Sequence, residues 1–219
     1  MAVDLTFTAS ARRLGMVSAV GTVLLSAIYA ATLVGGFLSL GSPQQPIGDP
    51  WFSILELLIL VLMPLMVALM VAVHAWAPAE AKVFSLLALV FMSIAALLTC
   101  SLHFVILTLS RQLAFSVLPW MPLFLSFHWP SVPYALDILA WDVFFALSVL
   151  CAAPVFRASR LTAWICGLLV TSGALALAGL SGVILGEMRL RNIGILGYSG
   201  VFPVVALLLL ILFHRAHPK

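Results

Sequence analysis

A chain of 219 residues that is 64% hydrophobic and 8% charged, with a mean hydropathy of +1.26, lacks the polar surface of a soluble domain, where charged residues make up about 25%. The composition excludes a water-soluble enzyme and places the chain in a lipid bilayer. Its net charge of +3 comes from basic residues set singly or in pairs at the ends of apolar runs, which excludes a nucleic-acid surface; Cys100, Cys151 and Cys166, with no CxxC pair, exclude a disulfide framework and read as small hydrophobes.

A helix that crosses the bilayer needs about 20 apolar residues. Six segments meet this length, over residues 14–40, 51–76, 82–110, 134–153, 161–186 and 193–213. They predict an all-α fold: a polytopic bundle of six transmembrane helices forming a single integral membrane domain. The first segment follows Arg12 and Arg13. It is too long for a signal peptide and no small-x-small cleavage site follows it, so it is expected to remain as an anchor helix. The linker GSPQQPIGDP consists of turn residues. The second segment has Trp51 and Trp76 as interfacial anchors and Pro64 inside it, which predicts a kink.

Between segments three and four the pattern breaks. Pro119, Pro122, Pro130 and Pro133 forbid one continuous helix from Arg111 to Pro133. Phe115, Trp120, Phe124, Phe127 and Trp129 are too apolar for a solvated loop. The stretch is therefore expected to pack over one end of the bundle, with Ser131 as the N-cap of the fourth helix and Pro133 in its first turn.

Basic residues set the expected orientation. With both termini in the cytoplasm, Arg12, Arg13, Lys82, Arg157, Arg160, Arg215 and Lys219 lie inside, and Arg111, Arg189 and Arg191 lie outside. This asymmetry predicts a plasma (inner) membrane protein with an extracytoplasmic aromatic and proline-rich loop between helices three and four.

Depth along each helix, counted at about 1.5 Å per residue, then locates the ionisable groups. Glu56 falls about 7 Å below the outer end of segment two, His103 about 12 Å below Arg111, and Asp142 about 12 Å below Tyr134, with Asp137 near the outer surface. Arg111 lies eight residues after His103, roughly on the same helix face. A charged side chain at the bilayer centre costs about 2.5–3.5 kcal/mol on insertion scales, so such groups face protein or water. These positions predict an outward-facing polar cavity lined by Glu56, His103, Arg111, Asp137 and Asp142, with Glu187 at its edge. The competing reading takes Asp137, Glu187, Arg111, Arg189 and Arg191 as ordinary interfacial residues and leaves His103 and Asp142 as the deep groups. Because these two share a depth, they are expected to form an acid–base pair if their helices turn them towards each other.

GLSG at Gly179 to Gly182 resembles the GxSG motif of rhomboid intramembrane proteases, over four residues only. That chemistry needs a histidine base within reach of the serine, and segment six has none before His214. Gly173, Gly179, Gly182 and Gly186 instead predict close helix packing. No metal motif, P-loop or GxGxxG is present, His74 and His103 differ in depth by about 25 Å and cannot share a haem, and Lys82 and Lys219 stand at a helix start and the chain end, not inside a helix as a retinal Schiff base requires, so no cofactor is expected. Three functions fit: a protein that binds or transports a small solute, ion or lipid through the outer cavity; an intramembrane enzyme acting on a lipid-linked substrate with a His/Asp pair; and an accessory membrane subunit with no site of its own.

Overall fold

The computed structural model describes residues 7–42 and 45–217; Pro43 and Gln44 of the linker and Lys219 of the charge count lie outside the described residues. Six long apolar helices, each of a length and composition suited to crossing a membrane, form the bundle. They are α1 (Ala9–Leu38), α2 (Trp51–Trp76), α3 (Ala79–Leu109), α4 (Val132–Val155), α5 (Arg160–Leu185) and α6 (Met188–Arg215).

Local chemistry accounts for several helix ends. Thr8 caps α1 by accepting from the Ala11 amide at 3.2 Å, so α1 starts before residue 14. Proline at position 64 leaves α2 as one unbroken helix. Ser131 caps α4 by accepting from the Tyr134 amide at 3.2 Å, and Pro133 lies in the first turn, both as expected. Ser159 and Thr162 form a reciprocal capping box at the start of α5. Gly186 ends α5 with φ of 72°, a left-handed conformation open to glycine without steric cost. The chain then turns back so tightly that α6 begins at Met188 and takes in Arg191, which the sequence pattern had left before the helix.

Consecutive helices pack side by side, and α6 also packs against α1, so the six close into a ring. The interior is built from Met63, Met66, Leu69, Met70, Met92, Phe145, Phe202 and their neighbours. Large apolar side chains such as Leu24, Val61, Leu97, Trp164 and Ile184 point outwards, as lipid-facing positions require. The ring is clasped at one end by Arg12, whose guanidinium donates to the carbonyls of Phe213 at 2.9 Å and His214 at 2.7 Å. At the same end Lys82 donates to the last carbonyls of α2, His74 and Ala75.

α4 is the most buried of the six. It is not a uniform α-helix: Leu139–Phe145 has π geometry, and so has Leu196–Val201 in α6. The two π segments face each other, with Trp141 and Tyr198 ring centroids 4.8 Å apart and Phe145 edge-on to Tyr198 at 6.0 Å. Ser172 of α5 donates to the Gly197 carbonyl at 2.9 Å, satisfying an acceptor within the second π segment. π-Helical turns are rare and concentrate at functional sites.

Candidate functional site

The ionisable groups expected at the site cluster at the end of the bundle that carries the aromatic loop, and the structure sorts them into three sets. The first joins α2 to α3. His103 Nδ1 lies 2.8 Å from Glu56 Oε2, and both residues are buried. With Glu56 ionised, the ring N–H donates to the carboxylate. A residue of the loop covers this pair: the Phe127 ring sits 4.7 Å from the imidazole, centroid to centroid. Around it, Trp120 packs edge-on to Phe124, and Trp129 packs on Tyr134 at 5.9 Å. The loop contains two short helices, Leu113–Ser116 and Met121–Leu125. Ser131 also donates to the Ser126 carbonyl at 2.8 Å, fixing the loop's return to α4.

The second set joins α4 to α6. Arg191 Nη2 donates to Asp137 Oδ2 at 2.6 Å, and its Nε lies 3.4 Å from Asp142 Oδ2. The guanidinium also stacks over the Tyr134 ring at 4.6 Å. Asp142 is fully buried, and its second oxygen, Oδ1, has no hydrogen-bond partner. Glycines make this approach possible. A Cβ on Gly194 would lie 2.6 Å from Asp142 Oδ1, and a Cβ on Gly182 would lie 2.8 Å from the Arg191 amide nitrogen. Gly179 packs on Gly194 in the same way, with a Cβ there 3.1 Å from the Gly194 Cα. The GLSG sequence is thus the seat on which the start of α6 rests, as the helix-packing reading expects.

The third set is at the surface. Arg111 donates to Asp49 Oδ1 at 2.7 Å and to Ser53 Oγ at 2.6 Å, and lies over the Phe52 ring. Asp49 lies outside the spans. The hydrogen bond from the Ser53 hydroxyl, reinforced by the Arg111 guanidinium, holds its carboxyl below the usual carboxylate range. Arg111 therefore ties the linker to the end of α3 and belongs to the interface, as do the exposed Glu187 and Arg189.

Two expectations need correction. His103 and Asp142 are not each other's partners: the Nδ1 of one is taken by Glu56 and the Oδ2 of the other by Arg191, because their helices point them to different neighbours. Arg191 and Asp137 are not ordinary interfacial residues, because the tight turn after Gly186 draws Arg191 into the bundle, where it is 5% exposed. Tyr198, packed against Trp141, has no signal in the sequence. For Arg191 the signal is charge: Asp137 and Asp142 put two acids on one span, and a base is needed within reach.

Thr99, one turn before His103, is buried with no partner for its hydroxyl, whereas Thr108 satisfies itself on the Phe104 carbonyl. Two surface depressions, of about 400 Å³ beside Phe37, Leu40, Gly41 and Ser42 and about 500 Å³ beside Trp120 and Phe124, are not lined by the ionisable sets. No group of three metal-ligating side chains occurs among the described residues. Set against known proteins, the chain matches no family model, and no curated protein and no solved structure is found similar to it.

Proposed function

We propose that the protein is a binding protein of the membrane that takes a small polar ligand, a solute or a lipid headgroup, at the loop end of the bundle. Glu56 and His103 are the recognising pair, and the stretch from Arg111 to Pro133 is their cover. One observation carries this reading: a buried acid–base pair has a loop residue, Phe127, packed at a tilt against its imidazole. Swinging one aromatic loop aside would expose two groups able to accept and donate hydrogen bonds, beside the unsatisfied Thr99 hydroxyl. Buried ionisable residues in membrane spans mark ligand or ion paths by default. The basic-residue asymmetry supports an orientation with this loop outside and both termini in the cytoplasm of a cell whose plasma membrane holds the protein. A cysteine placed at Ser126 tests it; labelling by an impermeant reagent only after the opposite face is opened reverses the orientation.

A second reading, a structural subunit without a site, is favoured by the mutual pairing of the ionisable groups and by surface depressions that do not reach them. The intramembrane enzyme with a His103–Asp142 pair loses its geometric basis. Thermal unfolding of detergent-solubilised protein against a panel of lipids and small polar solutes separates the first two. Binding at the pair requires that one class raise the midpoint of wild type and leave Glu56→Gln unmoved. A panel that moves neither, or moves both alike, leaves the structural subunit.

A further inference from the structure

We propose that Asp142 is a proton-binding site: the set Asp137–Arg191–Asp142 takes up one proton inside the membrane, and Asp142 carries it. This site is independent of ligand binding at Glu56 and His103.

Charge balance comes first. Arg191 supplies one positive charge and faces two carboxylates. With both acids ionised the set has one uncompensated negative charge in a region surrounded by hydrocarbon; with one proton it is neutral. Among the described residues, the groups around Asp142 supply no second cation. Arg191 and Tyr198 face it from α6, and Asp137 and Tyr134 lie on its own helix. Tyr29 of α1 lies within electrostatic range of Asp137 and Glu56. On α3, His103 is held by Glu56, and α5 has no titratable residue between Cys166 and its end.

Geometry then chooses between the two acids. Arg191 binds Asp137 at 2.6 Å but reaches Asp142 only at 3.4 Å, and the Asp137 side chain keeps 14% exposure against none for Asp142. One oxygen of Asp142 accepts nothing. A proton on that oxygen turns an unsatisfied acceptor into a donor. The Ala176 carbonyl of α5 and Asp142 Oδ1 both approach Gly194, 3.3 Å and 2.6 Å from the point where its Cβ would stand. The carboxylate sits in a π segment packed on a second π segment, so the charge of this one group bears on the packing of α4 against α6.

Infrared spectroscopy in a detergent free of carbonyl groups reads the proton directly. Wild type at neutral pH should show the C=O stretch of one protonated carboxylic acid, shifting in heavy water. Asp142→Asn should lose it. Asp137→Asn should lose it as well, although Asp142 is still present, because Arg191 then balances a single carboxylate. Glu56→Gln should keep it. Circular dichroism and gel filtration establish that each variant is folded. No such band in wild type overturns the proposal without any variant. So does a band that survives Asp142→Asn, a band that survives Asp137→Asn, or one that disappears in Glu56→Gln, which would put the proton on the other pair.

Discussion

Replacing Arg191 with methionine removes the one cation that α4's acids share while roughly keeping the volume. Three contacts go with it: the 2.6 Å bond to Asp137, the 3.4 Å approach to Asp142 and the stack over Tyr134 at 4.6 Å. A charge-assisted hydrogen bond contributes about 1.5–3 kcal/mol and a desolvated cation–π contact up to about 2 kcal/mol. The loss should therefore fall near the 3–5 kcal/mol or so seen when one member of a buried ion pair is removed. Part of that cost is the Asp137 carboxylate left behind, so it can be relieved. Adding Asp137→Asn and Asp142→Asn to Arg191→Met removes both acids and the stranded charge, and should recover about half of the loss or more. Reversible unfolding in mixed micelles, followed by far-ultraviolet dichroism, measures all three proteins. A single variant within about 0.5 kcal/mol of wild type, the range of an inconsequential surface change, refutes the burial argument. A triple variant no more stable than the single one refutes the account of where the cost arises.

Gly194→Ala should destabilise the bundle by about 1–3 kcal/mol, as overpacking does, because its Cβ meets Asp142 Oδ1 at 2.6 Å, while Gly200→Ala, with nothing within 4 Å, should be neutral or slightly stabilising; equal unfolding midpoints for the two would contradict the close approach. The ¹⁵N signal of the His103 ring should move in Glu56→Gln and in Phe127→Ala but not in Asp142→Asn, and a response to Asp142→Asn alone would restore the pairing rejected above. Asp49 titrates below its unfolded value of about 3.9, so what it adds to stability is complete above that value and fades as pH falls through the lower folded value. Amide exchange at Ser53 should therefore accelerate on acidification in wild type and be insensitive to pH, beyond intrinsic exchange, in Asp49→Asn; parallel profiles would show that Asp49 does not hold this turn.

Hydropathy alone locates the six spans, because a helix in lipid must be apolar for its full length whatever it packs against. Ser131 and Pro133 mark the start of α4 for the same local reason, as cap and first-turn residues. Depth counting brought Glu56, His103, Asp137 and Asp142 to one end of the bundle, but it gives height and not rotation. That is why His103 was matched to Asp142 when Glu56 is its neighbour. Arg191 escapes the sequence for a different reason: two residues from the edge of an apolar run, an arginine looks the same whether it snorkels to the surface or turns inwards. The choice was made by Gly182 and Gly194, whose missing side chains allow the turn to fold in. The π segments left no readable trace, since their apolar residues suit either helical pitch.

The clasp of Arg12 on the Phe213 and His214 carbonyls joins positions 201 and 202 residues apart. Synthesis delivers α1 to the bilayer before α6, so Arg12 waits without these acceptors while the four helices between them enter. Ring closure therefore waits for α6, and is made at the last-turn carbonyls that no helix can satisfy from within. The space left by Gly15 on α1 is filled by the Phe213 ring, against which a Cβ would come within 2.6 Å. A nascent chain stopped short of Phe213 would leave that notch open to lipid and its arginine unanchored, so the first helix to arrive registers whether the last one has followed.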